Sequence, residues 1–374
     1  MSAEKMIQAA CACGSTHEVT AFKAGRLSRR SLLAGAGGAL FSGLVASQTA
    51  LTAGSSAAAR PGIIDVHHHV SPPSFIREIV AQGAGERPVV GWTLEKSLED
   101  MDRAGVATSI MSITTPGVWF RDDVRAARLA RECNDFGAGL MSRYPTRFGL
   151  FAALPLPDVD ASLKEIAYAF DVLKADGVGL LTSFGDRWLG DRSFWPVLEE
   201  LNRRKAVVYT HPTTANCCRN LIPEVHYSVI ELATDTSRAI ASLLFTGAAA
   251  RFPDITFIFS HAGGTMPFLL ERFTRYPGLD RGLGLNLDIA GKVPGGIEAM
   301  LQKFYYDIAQ AAHPAAMASL LKVVPVSQVL FGTDFPFRTA ADHVRGMAAS
   351  GLSGEQTQAI NRLNAIRLFP RFAD

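Results

Sequence analysis

The chain is short of charge and short of cysteine. Of its 374 residues 19% are Asp, Glu, Lys or Arg, and the formal net charge is +2. That near balance excludes an electrostatic footprint for nucleic acid or for a broad anionic membrane surface. The five cysteines are Cys11, Cys13, Cys133, Cys217 and Cys218. They show neither the spacing of a zinc knuckle nor that of a disulfide framework. Cys217 and Cys218 are adjacent, which strains a mutual bridge, so buried or idle thiols are expected. A phosphate-binding glycine loop is also missing: the run Gly35-Ala36-Gly37-Gly38 follows no strand. No internal repeat or low-complexity tract interrupts the chain after residue 60. What remains is the composition of a globular protein with 48% apolar residues.

Residues 1–60 have the plan of an export signal rather than of a folded domain. Ser28-Arg29-Arg30-Ser31-Leu32-Leu33 is a twin-arginine pattern. A Gly/Ala-rich apolar run follows from Leu32 to Leu51, and small residues fill 52–59, where a peptidase could cut. The run is weakly hydrophobic and broken by Gly and Ser, so a cleaved leader is expected and a stable membrane span is not. Twin-arginine leaders mark proteins that cross a membrane already folded. Export to the periplasm is therefore the expectation; a leader that no longer functions would leave the protein cytoplasmic.

Residues 61–374 read as one domain. Eight runs rich in β-branched or aromatic residues fall at 62–68, 108–113, 148–154, 177–183, 206–210, 255–260, 304–308 and 328–332. Helical patterns alternate with them at 95–104, 122–142, 160–174, 194–204, 228–251, 266–273, 314–321 and 340–349, and a last helix spans 354–369. Strands alternating with helices imply a parallel sheet, and eight repeats imply an α/β fold of the (β/α)8 TIM barrel type. The stretch 71–93 breaks the pattern. It is polar, contains Pro and Gly, and stands after the first strand, where a barrel keeps its substrate loops.

Chemistry gathers at the strand ends. Ile64-Asp65-Val66-His67-His68-His69 closes the first strand. Side chains alternate faces along a strand, so His67 and His69 point one way and His68 the other. His68 then reads as a buried partner of the site rather than a ligand. His211 ends strand 5, His261 ends strand 6 and Asp334 ends strand 8. In a barrel these ends share one face, which is where active sites form. Three neutral imidazoles and a carboxylate suit one divalent ion, Zn²⁺ ahead of Mn²⁺. Strand 4 offers no Lys, Glu or His to bridge a second ion, so a single metal is expected.

These motifs carry a resemblance over 62–369. Ile64-Asp65-Val66-His67-His68-His69, Val208-Tyr209-Thr210-His211-Pro212, Ser260-His261-Ala262-Gly263-Gly264-Thr265-Met266-Pro267-Phe268 and Leu330-Phe331-Gly332-Thr333-Asp334-Phe335-Pro336-Phe337 are similar to those of the amidohydrolase superfamily. Within it they resemble the branch of aminocarboxymuconate-semialdehyde decarboxylase and the salicylate-type decarboxylases. The resemblance implies His67, His69, His211 and Asp334 as metal ligands. It implies His261 and Asp334 as the proton-handling catalytic residues. It further implies Arg87, in the first loop, as a grip for substrate carboxylate, and Arg272 as a residue reaching a neighbouring subunit's site in a homodimer. Phe184, with Trp119, Phe120 and Trp188, is placed to wall an aromatic substrate. His313 lies near the same mouth.

The activity so implied is non-oxidative decarboxylation of a small hydroxylated aromatic or unsaturated acid, with the 6-methylsalicylate type foremost. The same ligand set would also serve a hydrolase of a lactone, ester or amide. A third reading is an exported metal- or ligand-binding protein without turnover, against which the intact His261 and Asp334 speak.

Overall fold

Ile63–His69 forms β1 of the computed structural model, which describes residues 62–282 and 289–373. The remaining barrel strands are β2 Val106–Ser112, β3 Phe148–Ala153, β4 Gly177–Leu181, β5 Val207–His211, β6 Thr256–Phe259, β7 Tyr305–Asp307 and β8 Val329–Leu330. Each pairs in parallel with the next. The two ends of the sheet then meet. Val66 N–H donates to the Phe331 carbonyl at 3.0 Å, and His69 N–H to that of Phe335 at 2.8 Å. The result is the expected eight-stranded barrel.

Burial follows the strand period. Ile64, Val66, Ile110, Phe151, Tyr209, Ile258 and Leu330 form one buried cluster, closed by Phe369 and Phe372 from the C-terminal segment. Val178, Leu180 and Val208 pack instead with Leu198, Leu201 and Leu243 of the surrounding helices. The helices start where the caps predict. Thr93, Asp122 and Asp158 each accept the N–H three residues on, and Thr339 forms a capping box with Asp342. Gly105, at φ 73°, ends the helix Leu94–Ala104 in the left-handed turn that only glycine adopts freely.

Several expected elements change. The stretch 71–93 is largely helical, with Pro73–Ala81 and Arg87–Val90. Phe75, Ile79 and Val89 are buried there against Ala126 and Leu129, so the apolar face of a short helix started by Pro73 replaces the expected loop. The expected helix 228–251 divides into Tyr227–Val229, Glu231–Phe245 and Ala248–Arg251, broken at Gly247, φ 82°. The stretches 160–174 and 354–369 each pass through a π-helical turn, at Tyr168–Val172 and Ala359–Leu363. The helix from Met266 runs on to Gly282. Strand 4 stops at Leu181, because Ser183–Phe184 leaves the barrel to pair with Arg187–Trp188. The expected leader, with Cys11 and Cys13, lies outside the described residues. Among those described, no helix is long and apolar enough to cross a membrane.

Candidate metal centre and cavity

Three strand ends, those of β1, β5 and β8, bring His67, His69, His211 and Asp334 together. One ligand atom from each lies within 4.8 Å of all the others, and all four residues are buried. His67 Nε2 is 3.2 Å from His69 Nε2 and 3.2 Å from Asp334 Oδ1. His69 Nε2 and His211 Nε2 lie 3.0 and 3.8 Å from that same oxygen. An ion with ligand bonds of about 2.1 Å requires neighbouring donors roughly 3.0–3.4 Å apart, and three of the four separations are of that size.

The tautomers fit as well. His67 Nδ1 lies 2.9 Å from Asp307 Oδ2, and His211 Nδ1 lies 2.9 Å from the Pro212 carbonyl. Each Nδ1–H donates there, which leaves Nε2 as the ring atom facing the cluster. His211 Nε2 is buried with no hydrogen-bond partner, as a metal ligand would be. Burial drives His211 down to about 3 and His69 to about 4, so both are neutral at pH 7. Burial opposes charge on His67 too, yet the flanking Asp307 and Asp334 outweigh it and raise it to about 10. Burial alone would raise Asp334; the surrounding histidines, His67 foremost, hold it well below the usual carboxylate range. The donor set therefore suits one divalent cation, and it is the one such cluster among the described residues.

His261 completes the centre. Its Nε2 lies 3.4 Å from Asp334 Oδ2 and is otherwise buried without a partner. Gln310 Nε2 donates to the same oxygen at 2.7 Å. His261 and Asp334 both sit in the left-handed region, at φ 56° and 63°. Such strain in non-glycine residues is concentrated at functional sites. Gly264 makes the turn after His261 fit: a Cβ there would lie 1.9 Å from the Ala233 carbonyl oxygen. His68 points behind the cluster, to Asp65 and Ser97, and stacks on Phe335 at 4.7 Å.

A cavity of about 330 Å³ opens beside His211. Trp119, Phe120, Phe184 and Tyr209 wall it. Phe184 is held there by the small hairpin, which Trp188 Nε1 anchors to buried Asp235 at 2.8 Å. Arg87 and Arg272 are placed elsewhere. Arg87 is exposed and lines a separate hollow with Trp92 and Pro336. Arg272 is exposed on the helix Met266–Gly282, while its neighbour Glu271 pairs with Arg275 at 2.7 Å. His313 caps the helix Pro314–Val323. Cys217 and Cys218 are free thiols whose sulfurs stand 2.7 Å apart.

The sequence pattern of amidohydrolases matches residues 64–371. The chain belongs to the amidohydrolase family. It is 36% identical to the decarboxylase yanB of Aspergillus niger, over 83% of this chain and 88% of that one. It is 35% identical to the 6-methylsalicylic acid decarboxylase of Penicillium expansum, over 82% and 96%. Among solved structures, a manganese-bearing dihydroxybenzoic acid decarboxylase of Polaromonas sp. superposes with a TM-score of 0.72 at 21% identity, covering 83% of this chain and 97% of that one. That last likeness is one of fold.

Three residues of the centre escape a reading of the sequence. Asp307 orients His67 and also accepts the His261 N–H at 3.1 Å. Gln310 binds Asp334, and Asp65 accepts from Thr333, one residue before Asp334. Asp307 had a signal, since it too is an acid ending an apolar run. Asp65 stood inside the opening motif with no role assigned to it, and Gln310 had no signal.

Proposed function

We propose that this protein is a metal-dependent carboxy-lyase that removes CO₂, without oxidation, from a small hydroxylated aromatic acid of the 6-methylsalicylate type. One observation carries the reading: three buried imidazoles and Asp334 converge beside an aromatic-walled cavity, with His261 against the second oxygen of Asp334. The curated relatives spanning nearly the whole domain are named as decarboxylases, one of them for 6-methylsalicylic acid.

His67, His69, His211 and Asp334 would hold the ion. Bound there, it would supply a positive charge that orients the acid and stabilises developing negative charge. The chain's own residues do the rest. Phe184, Trp119 and Phe120 hold the ring and exclude water from it. His261, whose Nε2 faces Asp334 Oδ2, hands on the proton, and Gln310 holds that oxygen as an acceptor. As the carbon–carbon bond breaks, its electron pair stays on the ring carbon and takes up that proton, and CO₂ departs.

The donor set favours Zn²⁺, with Mn²⁺ the alternative that the Polaromonas neighbour suggests. We also infer export through the twin-arginine leader, and a homodimer. Phe268 and Val229 support the dimer: they are 89% and 69% exposed and flank a hollow that reaches His261.

The test is metal content per chain in the wild type and His69→Ala, run beside CO₂ release from a panel of hydroxybenzoates. One ion per chain, lost with His69, and CO₂ from the panel uphold the reading. One ion with hydrolysis of lactones or amides and no CO₂ would transfer it to the hydrolase. No stoichiometric ion would sink both.

A further inference from the structure

The cavity beside the metal centre carries permanent charge of one sign. Arg121 and Arg219 line it, and no aspartate or glutamate does among the described residues. Neither guanidinium has a hydrogen-bond or ion-pair partner among those residues. The acids nearby pair with donors other than these arginines, Glu86 accepting from the Tyr227 hydroxyl. Asp122 accepts the Arg125 N–H at 2.9 Å, Asp123 accepts from Trp119 Nε1 at 2.8 Å, and Asp186 accepts the Asn216 N–H at 3.1 Å. The two arginines come from separate loops, one after β2 and one after β5, so the fold and not the chain order brings them to one cavity. Arg121 is held at φ 62°, a conformation that side-chain-bearing residues disfavour. Unpaired like charges at an apolar-walled cleft focus their potential into it.

We propose that Arg121 and Arg219 form a charge gate that draws in the ionised acid and releases the neutral product. The proposal rests on the decarboxylase reading. Loss of CO₂ with uptake of a proton turns an aromatic carboxylate anion into an uncharged phenol. The attraction therefore acts on the substrate and vanishes with turnover. Arg121 and Arg219 are selectivity residues here, not catalytic ones, because the reacting carbon belongs at the metal centre. The gate prefers a carboxylate-bearing ring over a neutral ring of the same shape, and it limits inhibition by product.

The experiment compares the metal-loaded wild type with the double variants Arg121→Gln/Arg219→Gln and Arg121→Lys/Arg219→Lys. In the Gln variant KM for 6-methylsalicylate rises about 10-fold while kcat stays within about twofold. The salt dependence of kcat/KM flattens. The inhibition constant of 3-methylphenol, the product, does not move, and the Lys variant recovers most of the KM. Unchanged KM and salt dependence would overturn the gate. So would an equal loss of affinity for acid and phenol, since that reports lost packing. If the wild type releases no CO₂ from any acid, the decarboxylase reading fails by itself. Calorimetry of salicylate against 3-methylphenol then still decides the gate. A preference for the anion that disappears in the Gln variant upholds it, and a wild type without that preference refutes it.

Discussion

Asp307→Asn isolates what orients the metal ligands. The Asp307 carboxylate serves three donors: Oδ2 accepts from His67 Nδ1 at 2.9 Å, and Oδ1 accepts the N–H groups of His261 and Ala309 at 3.1 and 2.9 Å. Asparagine keeps the shape but has one oxygen. The two backbone donors are fixed around the Oδ1 position and claim that oxygen. The amide NH₂ then faces His67 Nδ1, and two N–H groups cannot share that contact. The imidazole proton must move to Nε2, which stands 3.2 Å from both His69 Nε2 and Asp334 Oδ1. A protonated Nε2 has no lone pair for a cation. Loss of such an orienting partner weakens metal affinity about 10- to 100-fold, or about 1.4–2.7 kcal/mol. The assay is competition with a chromogenic chelator on wild type, Asp307→Asn and Ser112→Ala. Ser112 Oγ contacts His69 Nδ1 at 3.2 Å through a neutral bond, so its removal costs about 1 kcal/mol or less. Wild-type affinity in Asp307→Asn, or a loss no larger than that of Ser112→Ala, would refute the orienting role. Circular dichroism of the metal-free variants guards against simple unfolding.

Metal uptake is expected to release about one proton per chain between pH 7 and 9. His69 and His211 are already neutral there, whereas His67 carries a proton up to about 10. Affinity should therefore rise with pH across that window, which calorimetry in buffers of different ionisation enthalpy reads directly. The same shift has a stability sign. The raised pKa of His67 stabilises the metal-free fold fully below about 6.5, and that contribution is lost as pH rises towards 10. Asn134→Ala should lower stability by about 2–4 kcal/mol in a denaturant titration, because Asn134 satisfies both the N–H and the carbonyl of buried Ala153, at 2.7 and 2.9 Å. A change under about 0.5 kcal/mol would show that water replaces it.

What the sequence discloses and what it hides divide along one physical line. The barrel and its metal ligands were legible because strand alternation and topology place them. An acid or imidazole at the C-terminal end of an apolar run lands on one face of the barrel whatever the helices do between strands. Asp307 and Asp334 share that signature, yet one orients and the other offers its oxygen to the cluster. The difference lies in reach. Asp334 follows the two-residue strand β8 in a left-handed turn at φ 63°, which carries its Oδ1 to within 3.0–3.8 Å of three imidazoles. Asp307 still belongs to β7, and its carboxylate meets the back of His67 and two backbone N–H groups instead of the cluster. Nothing in residue type or spacing encodes that turn. The rim is less legible still. Arg87 and Arg121 both stand in stretches that follow a strand, and only packing assigns them to different hollows. Phe75, Ile79 and Val89 bury the segment around Arg87 as helices against Ala126 and Leu129, which fixes its guanidinium on the outer side. Arg121 immediately precedes the cap of the helix Asp123–Arg143 and enters the cavity with the turn that the cap sets. The proposed recognition of substrate thus depends on loop packing, and the proposed chemistry on the strand ends beneath it.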